Sequence, residues 1–256
     1  MKKILFACDL DNTLIHSAAK RLSEDEPCAE LLDGKEQSFI TAHTLTLLSE
    51  LSRCGNIFFA PVTTRSYQQY KRIDLHGTIP RYAIAANGAE LMTNGGIPEP
   101  FLTPSDCETK EILRLAALCE KDENFSKVRF TDEAFLFCHC LEESYALSAK
   151  EKYPTFLKAQ KTGRKLYFFP QKLTKGSAVK KLAGKIGADM IIAAGDSEID
   201  VSMLNAADIA FIPDSTLADR ITSELRICNE PSFSEFILKE LLRFNSFQQD
   251  HEEKAQ

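Results

Sequence analysis

Ile4-Leu5-Phe6-Ala7-Cys8-Asp9-Leu10-Asp11-Asn12-Thr13-Leu14 is the stretch whose reading decides this fold. Its apolar run reads as a buried central strand. Two carboxylates, one residue apart, follow where that strand ends, and Asn12 and Thr13 turn the chain. In open α/β sheets, ligands bind beyond the carboxyl ends of the strands. Two acids crowded at such an edge repel each other unless a proton or a cation lies between them. Mg²⁺ suits the place, because it takes oxygen ligands and keeps one or two carboxylates plus substrate phosphate.

Outward from this edge, the pattern is that of a parallel sheet with something inserted. Residues 41–54 predict a helix, with Thr41 as cap, Leu45, Leu48 and Leu51 on one face, and Gly55 as its end. Residues 57–62 and 82–86 predict strands, and Asn87-Gly88 a turn. The long connection 15–40 carries an Asp33-Gly34 hairpin signal and predicts a small flap near the first strand's end. Ser105 and Glu108 form a capping-box pattern ahead of Ile112, Leu115, Ala116 and Cys119. Strands are expected at 128–130, 135–140 and 165–169, and a helix at 144–153. This middle region therefore reads as an α+β unit with antiparallel strands.

The parallel pattern then resumes. A helix is expected at 175–186 with Thr174 as cap, a strand at 190–194, and a short helix at 197–206. Strands at 208–212 and 225–228 and a helix at 233–245 follow. The polar tail 246–256 is expected to be disordered. The fold class is thus α/β: a Rossmann-like core from residues 1–88 and 171–256, with an inserted α+β module at 89–170.

Composition narrows the function. The chain has 256 residues, 44% hydrophobic and 27% charged, with a net charge of −6. That balance disfavours nucleic acid, whose phosphates need a Lys/Arg footprint. No apolar stretch is long enough for a bilayer span, and the first apolar run is too short for a signal peptide, so a cytoplasmic protein is expected. The eight scattered cysteines suggest buried free thiols. Cys138-His139-Cys140 has the wrong spacing for zinc, and strand alternation points His139 away from both thiols.

Four places carry the chemistry. Asp9 and Asp11 end the first strand, and Thr63-Thr64-Arg65 follow the next. Lys175 starts a helix. Gly195-Asp196-Ser197 ends a further strand, with Asp200 one helical turn on. Taken singly, Thr63 could cap a helix, Lys175 could be a solvated charge, and Ser197 with Asp200 has capping-box spacing. Together, three acids, a hydroxyl and an ammonium are the parts needed to hold Mg²⁺ and a phosphoryl group.

In this order, the motifs resemble the haloacid dehalogenase superfamily of phosphatases and phosphotransferases. The carrying residues are Asp9, Asp11 and Thr13, then Thr63, Lys175, and Asp196 with Asp200. Asn87-Gly88-Ala89 followed by a folded insertion resembles the type IIB cap of the Cof-type and sucrose-phosphatase branch. The resemblance implies Asp9 as nucleophile and Asp11 as general acid and base, with Asp11 raised in pKa while Asp9 stays charged. It implies Mg²⁺ held by Asp9, the Asp11 carbonyl and Asp196, with Asp200 supporting. Thr63 and Lys175, with Thr64 and Asn87, would hold phosphate. The expected activity is hydrolysis of a small polar phosphomonoester, most simply a sugar or polyol phosphate, by a monomer or small homo-oligomer without nucleic-acid or membrane partners. The same motifs fit a phosphotransferase of phosphomannomutase type, or a catalytically weak binding protein on this fold. Asn12, Thr64 and Ile199 depart from the usual Gly, Gly and Asn, and Ile199 removes a polar group near the metal or phosphate.

Overall fold

The computed structural model describes residues 2–253. Its central sheet has five parallel strands in the spatial order Glu224–Ile227, Ile209–Ile212, Met190–Ala194, Ile4–Cys8, Ile57–Pro61. The first strand lies between the second, Ile57–Pro61, and the much later Met190–Ala194. The chain therefore leaves it in one direction and returns on the other side. A topological switch point of this kind opens a crevice beyond the strand's carboxyl end.

The continuous apolar runs are explained by burial on both faces. Ile4, Phe6 and Cys8 face the helices Ala42–Ser52 and Phe233–Glu253 through Leu47, Leu48, Leu51, Ile237 and Leu241. Leu5 and Ala7 face the helices Lys175–Ile186 and Val201–Leu204 through Val179, Leu182, Met203 and Leu204. These two helices touch backbone to backbone, since a Cβ on Gly176 would lie 2.0 Å from the Ser202 carbonyl oxygen. The last helix continues to Glu253, so the expected disorder is not found over 246–253; residues 254–256 lie outside the described residues. Among the described residues, no helix is long and apolar enough to cross a membrane.

The flap is a hairpin of Cys28–Leu32 and Lys35–Phe39, joined by Asp33 and Gly34 at φ 52° and 75°. Two positive φ values in a two-residue loop match the twist of the paired strands. The expected strand after residue 82 is only marginally part of the main sheet. Tyr82–Ala85 meets it through a single parallel bridge, Val62 to Ile84, and otherwise pairs antiparallel with Glu90–Thr93. Leu91 from this small sheet and Phe101 just beyond it pack in the core cluster with Leu5 and Val62.

The inserted module has its own sheet, in the order Lys158–Thr162, Lys165–Phe169, Phe135–Cys140, Phe125–Thr131, all antiparallel. Sequence reading missed Lys158–Thr162, an edge strand with too little apolar alternation to stand out. Leu136, Cys138, Cys140, Leu166 and Phe168 point to the helices Asp106–Cys119 and Glu143–Lys152 and bury a separate core with Ile112 and Leu115. The opposite face looks back at the main sheet. Its inner edge, Phe135, Tyr167 and Phe169, packs against Ala86, Ala89, Leu173 and Ile199. All eight cysteines are free, but Cys107 is exposed and Cys28, Cys54 and Cys228 are half-buried, so the expectation of uniformly buried thiols holds for four of them.

Candidate active site

Asp9 leaves the first strand with its amide donating to Ala194 O at 2.9 Å, which ties it to the neighbouring strand end. The turn after it closes on Leu10, whose carbonyl accepts from the Leu14 and Ile15 amides at 3.0 and 2.9 Å. Asn12 sits at φ 62°. Asparagine is among the few side-chain-bearing residues that visit this left-handed region readily, so Asn12 can replace glycine here.

Lys175 is the first residue of its helix and is buried. The Thr174 hydroxyl caps that helix, accepting from the Ser177 amide at 3.0 Å. The Lys175 ammonium donates to Asp9 Oδ1 and, at 2.6 Å, to Asp200 Oδ1. The other Asp200 oxygen accepts from the Asp196 and Ser197 amides at 3.2 and 3.0 Å and from the Ser197 hydroxyl at 2.7 Å. Asp200 is thus saturated, fully buried, and fixes both Lys175 and the loop bearing Asp196. That loop requires glycine before it: a Cβ on Gly195 would lie 2.5 Å from the Asp200 Cβ.

Asp9, Asp196 and Asp200 offer carboxylate oxygens within 4.8 Å of one another. One ammonium faces three acids. Burial, then the charges of Asp200, Asp196 and Asp11, push the Asp9 carboxyl up against the pull of Lys175. Burial and Asp200 likewise raise Asp196 to about 6. The cluster is short of positive charge, and its donors are all hard oxygens. That set fits Mg²⁺ and offers nothing to a soft metal.

Asp11 is placed differently. Its carboxylate is half exposed and takes a bidentate pair from Arg65, Nε at 2.8 Å and Nη2 at 2.7 Å. Burial would raise Asp11, but the Arg65 hydrogen bonds and charge outweigh it, helped by Lys165 and Lys175, and hold it below the ordinary carboxylate range. The expected ordering, with Asp11 raised and Asp9 charged, is therefore reversed in this arrangement. The reason is Arg65, which the motif reading left without a role. Arg65 also contacts buried Glu30 on the flap at 2.8 Å through Oε2, which Ser38 shares, while Arg72 holds Oε1.

Thr63 is buried at the end of the second strand, its hydroxyl accepting from the Arg65 amide at 3.1 Å. Thr64 faces the cavity described below. Asn87 is buried at φ 58°, its Nδ2 donating to Leu173 O at 2.9 Å while Oδ1 has no partner. It ties the outgoing chain to the returning one beside Lys175 and does not line the cavity. Ile199 is buried against Phe135, Tyr167, Phe169 and Leu173. Its apolar side chain serves the contact between core and inserted module.

A cavity of about 370 Å³ separates the two layers. The core lines it with Asp11, Thr64, Arg65 and Gln69, the flap with Glu30, Leu32 and Gln37, and the module with Lys127, Arg129, Phe137, His139, Lys165 and Tyr167. The module's residues were not singled out beforehand, His139 excepted. Strand alternation would have put Lys127 with Arg129 and Lys165 with Tyr167, but only strand pairing brings these sets side by side.

Residues 119–212 match the family model described as haloacid dehalogenase-like hydrolase. No match was found among curated protein sequences. Solved structures share the fold along nearly the whole chain. A haloacid dehalogenase-like hydrolase from B. subtilis aligns with TM-score 0.70 at 16% identity, covering 94% of this chain and 100% of that one. The sucrose-phosphatase of Synechocystis, solved with sucrose and phosphate, aligns with TM-score 0.63 at 19% identity over 96% and 99%. A subclass IIB sugar phosphatase of the same superfamily aligns with TM-score 0.65 at 15% identity over 95% and 99%. The resemblance drawn from the four motifs is borne out: the chain shares the haloacid dehalogenase-like fold with a cap, and the structures it resembles include a hydrolase, a sucrose-phosphatase and a sugar phosphatase.

Proposed function

We propose that this protein is a Mg²⁺-dependent phosphomonoester hydrolase that works through an aspartyl-phosphate on a small sugar or polyol phosphate in the cytoplasm. The observation that carries the reading is the Lys175 ammonium, buried between Asp9 and Asp200 with Asp196 alongside, at the sheet's switch point. Residues 1–88 and 171–256 supply the catalytic core. The module within 89–170 is the cap, although the Glu90–Phe101 stretch packs with the core.

Asp9 Oδ2, held only by Thr13 at 3.4 Å, is the oxygen free to attack phosphorus. The bond to the leaving oxygen breaks, and the leaving alcohol takes a proton from Asp11. Asp11 then removes a proton from the water that hydrolyses the aspartyl-phosphate. Without substrate, Arg65 holds Asp11 ionised, the form the second step also needs. For the first, an incoming phosphate competes for the guanidinium, and an Asp11 released from Arg65 rises toward protonation. Lys175 has a third N–H, and Thr63 its hydroxyl proton, for the phosphoryl oxygens. Thr64 borders the same space, and Asn87 acts by positioning the start of the Lys175 helix. Asp9, Asp196 and the Asp11 carbonyl would hold Mg²⁺, with Asp200 fixing their loop. The ion supplies the positive charge that lets a carboxylate approach a phosphate.

The substrate class rests on the cavity's monosaccharide scale, near the lower end of ligand pockets at about 300–1,000 Å³, and on the named activities of similar folds. Asp9→Ala should abolish phosphate release from an aryl phosphate without unfolding the protein. Chelation should do the same, reversed by Mg²⁺. Full activity in Asp9→Ala would remove the mechanism, and transfer to a second sugar hydroxyl with little phosphate released would replace hydrolysis by a mutase reaction.

A further inference from the structure

The cap's inward face is basic, and strand register gathers its cations in one place. Lys127, His139 and Lys165 lie directly opposite one another on three adjacent strands, in the pairs Lys127 with His139 and His139 with Lys165. The next row is Arg129, Phe137 and Tyr167, likewise in register. Lys127 and Lys165 thus flank His139 from the two neighbouring strands, two ammonium groups on one face of the sheet with an imidazole between them. All of these side chains line the one cavity. Elsewhere in the cap, Lys152 and Lys161 are paired with Asp122 and Glu143. Among the described residues, Lys127 and Lys165 have no carboxylate partner; the same holds for the cap's Lys110, Lys121, Lys150 and Lys158, but none of those four lines this cavity. The core's cations at this cavity differ, since Arg65 and Arg72 are taken up by Asp11 and Glu30. Arg129 also has protein partners, Gln69 and Thr131, both at 3.3 Å. Burial and the charges of Arg164, Lys165 and Lys127 hold the His139 imidazole below its ordinary value, which leaves it a neutral hydrogen-bonding group between two ammonium groups. A chain of net charge −6 thus keeps two unpaired lysines facing its catalytic edge.

We propose that Lys127 and Lys165 form a subsite for a second anionic group on the substrate's leaving portion, a carboxylate or a second phosphoryl group. This rests on the phosphatase reading of the core and specifies its substrate: a sugar or polyol phosphate that is anionic at both ends. The reacting phosphate lies at Asp9, the carbon skeleton spans the cavity against Tyr167 and Phe137, and the distal anion meets the two ammonium groups with His139 between them. Phe137 and Tyr167, with ring centroids 5.4 Å apart, give that skeleton an apolar floor.

The test compares kcat/KM for glucose 6-phosphate, 6-phosphogluconate and glucose 1,6-bisphosphate, with an aryl phosphate as the measure of the core chemistry. At least one doubly anionic substrate should exceed glucose 6-phosphate by about tenfold or more, the scale of hydrogen bonds to charged groups. The arm that wins separates carboxylate from phosphoryl recognition. The double variant Lys127→Met/Lys165→Met should bring the ratio close to one. Lys150→Met, on the cap's outer helix, should leave it unchanged. Equal or better turnover of glucose 6-phosphate by the wild type, or a ratio that survives the double substitution, overturns the subsite. Calorimetric affinities in Asp9→Asn for the same three compounds give the answer without turnover: the same ranking supports the subsite and a flat ranking overturns it. Loss of aryl phosphate hydrolysis alone would count against the core reading and leaves this affinity ranking to decide the subsite.

Discussion

The core edge and the cap face meet across one cavity on opposite electrostatic plans. On the core side the cations are committed. Lys175 bridges Asp9 and Asp200, and Arg65 bridges Asp11 and Glu30, which Arg72 holds in turn. On the cap side Lys127 and Lys165 are uncommitted and solvent-facing. Committed charges are pre-oriented and lose little freedom when a phosphate arrives, as electrostatic catalysis requires. Uncommitted charges can follow a ligand's shape, as selection among substrates requires. On the proposed function the difference separates chemistry from choice, and substitutions on each side should fail differently.

The largest separation is expected at Asp11. Asp11→Asn can neither protonate a leaving group nor activate water, so kcat should fall by about 10²–10⁴-fold. Its backbone carbonyl is unchanged, and Mg²⁺ titration should give nearly the wild-type affinity. Collapse of that affinity would show the Asp11 side chain to be a ligand and merge the two roles kept apart here.

Lys175→Met asks how tightly the core's charges depend on each other. Removing one partner from a buried pair costs about 3–5 kcal/mol, because the remaining charges are left uncompensated. Chemical denaturation near neutral pH should show a loss of that order, partly recovered by added Mg²⁺. A stability loss no larger than at a surface lysine such as Lys150 would mean that the acid cluster was not a source of strain.

Ile199 sits where the two regions touch. Ile199→Asn places an amide among Phe135, Tyr167, Phe169 and Leu173. The expected cost is about 1–3 kcal/mol for an unpartnered polar group, read as a lower Tm without gain of turnover. Gained turnover at unchanged Tm would instead favour a weakened catalyst awaiting its usual residue.

The smallest effect lies at the seam's outer end. Burial and then Asp132 raise the Glu90 carboxyl to about 7. A carboxyl whose folded value lies above its unfolded one favours the protonated fold. Its contribution is fully present below about 4.5 and is lost as pH rises through about 7. Glu90→Gln should therefore match the wild type near pH 4 and be more stable above pH 7. Because Glu90 is only partly buried, the gain should be about 1 kcal/mol, a few degrees in Tm. A pH-independent difference would place its cause in packing.

The legibility of the sequence follows the same division. The core strands were visible because burial on both faces makes their apolar runs continuous, as in Ile4–Cys8 and Met190–Ala194. The motif residues were visible because each stands directly after a strand or at a helix start. Lys127, Lys165 and Tyr167 were not, because their meaning comes from cross-strand register, which no local pattern encodes. Arg65 was seen as part of a motif, but its control of Asp11 depends on Glu30, supplied by a hairpin whose turn was legible and whose docking was not.

The position of the first strand also has a consequence for how the protein is made. It pairs with Ile57–Pro61 early, but Lys3 and its partner Asp189 lie 186 residues apart in sequence. At about 5–20 residues per second, the ribosome needs roughly 10–40 s to deliver that second neighbour. During this interval one edge of the strand that leads to Asp9 stays open, while the cap's sheet, whose strands all fall between Phe125 and Phe169, can close on itself. Synthesis therefore completes the inserted module's sheet before the central sheet, and the open strand edge is exposed until Met190–Ala194 emerges.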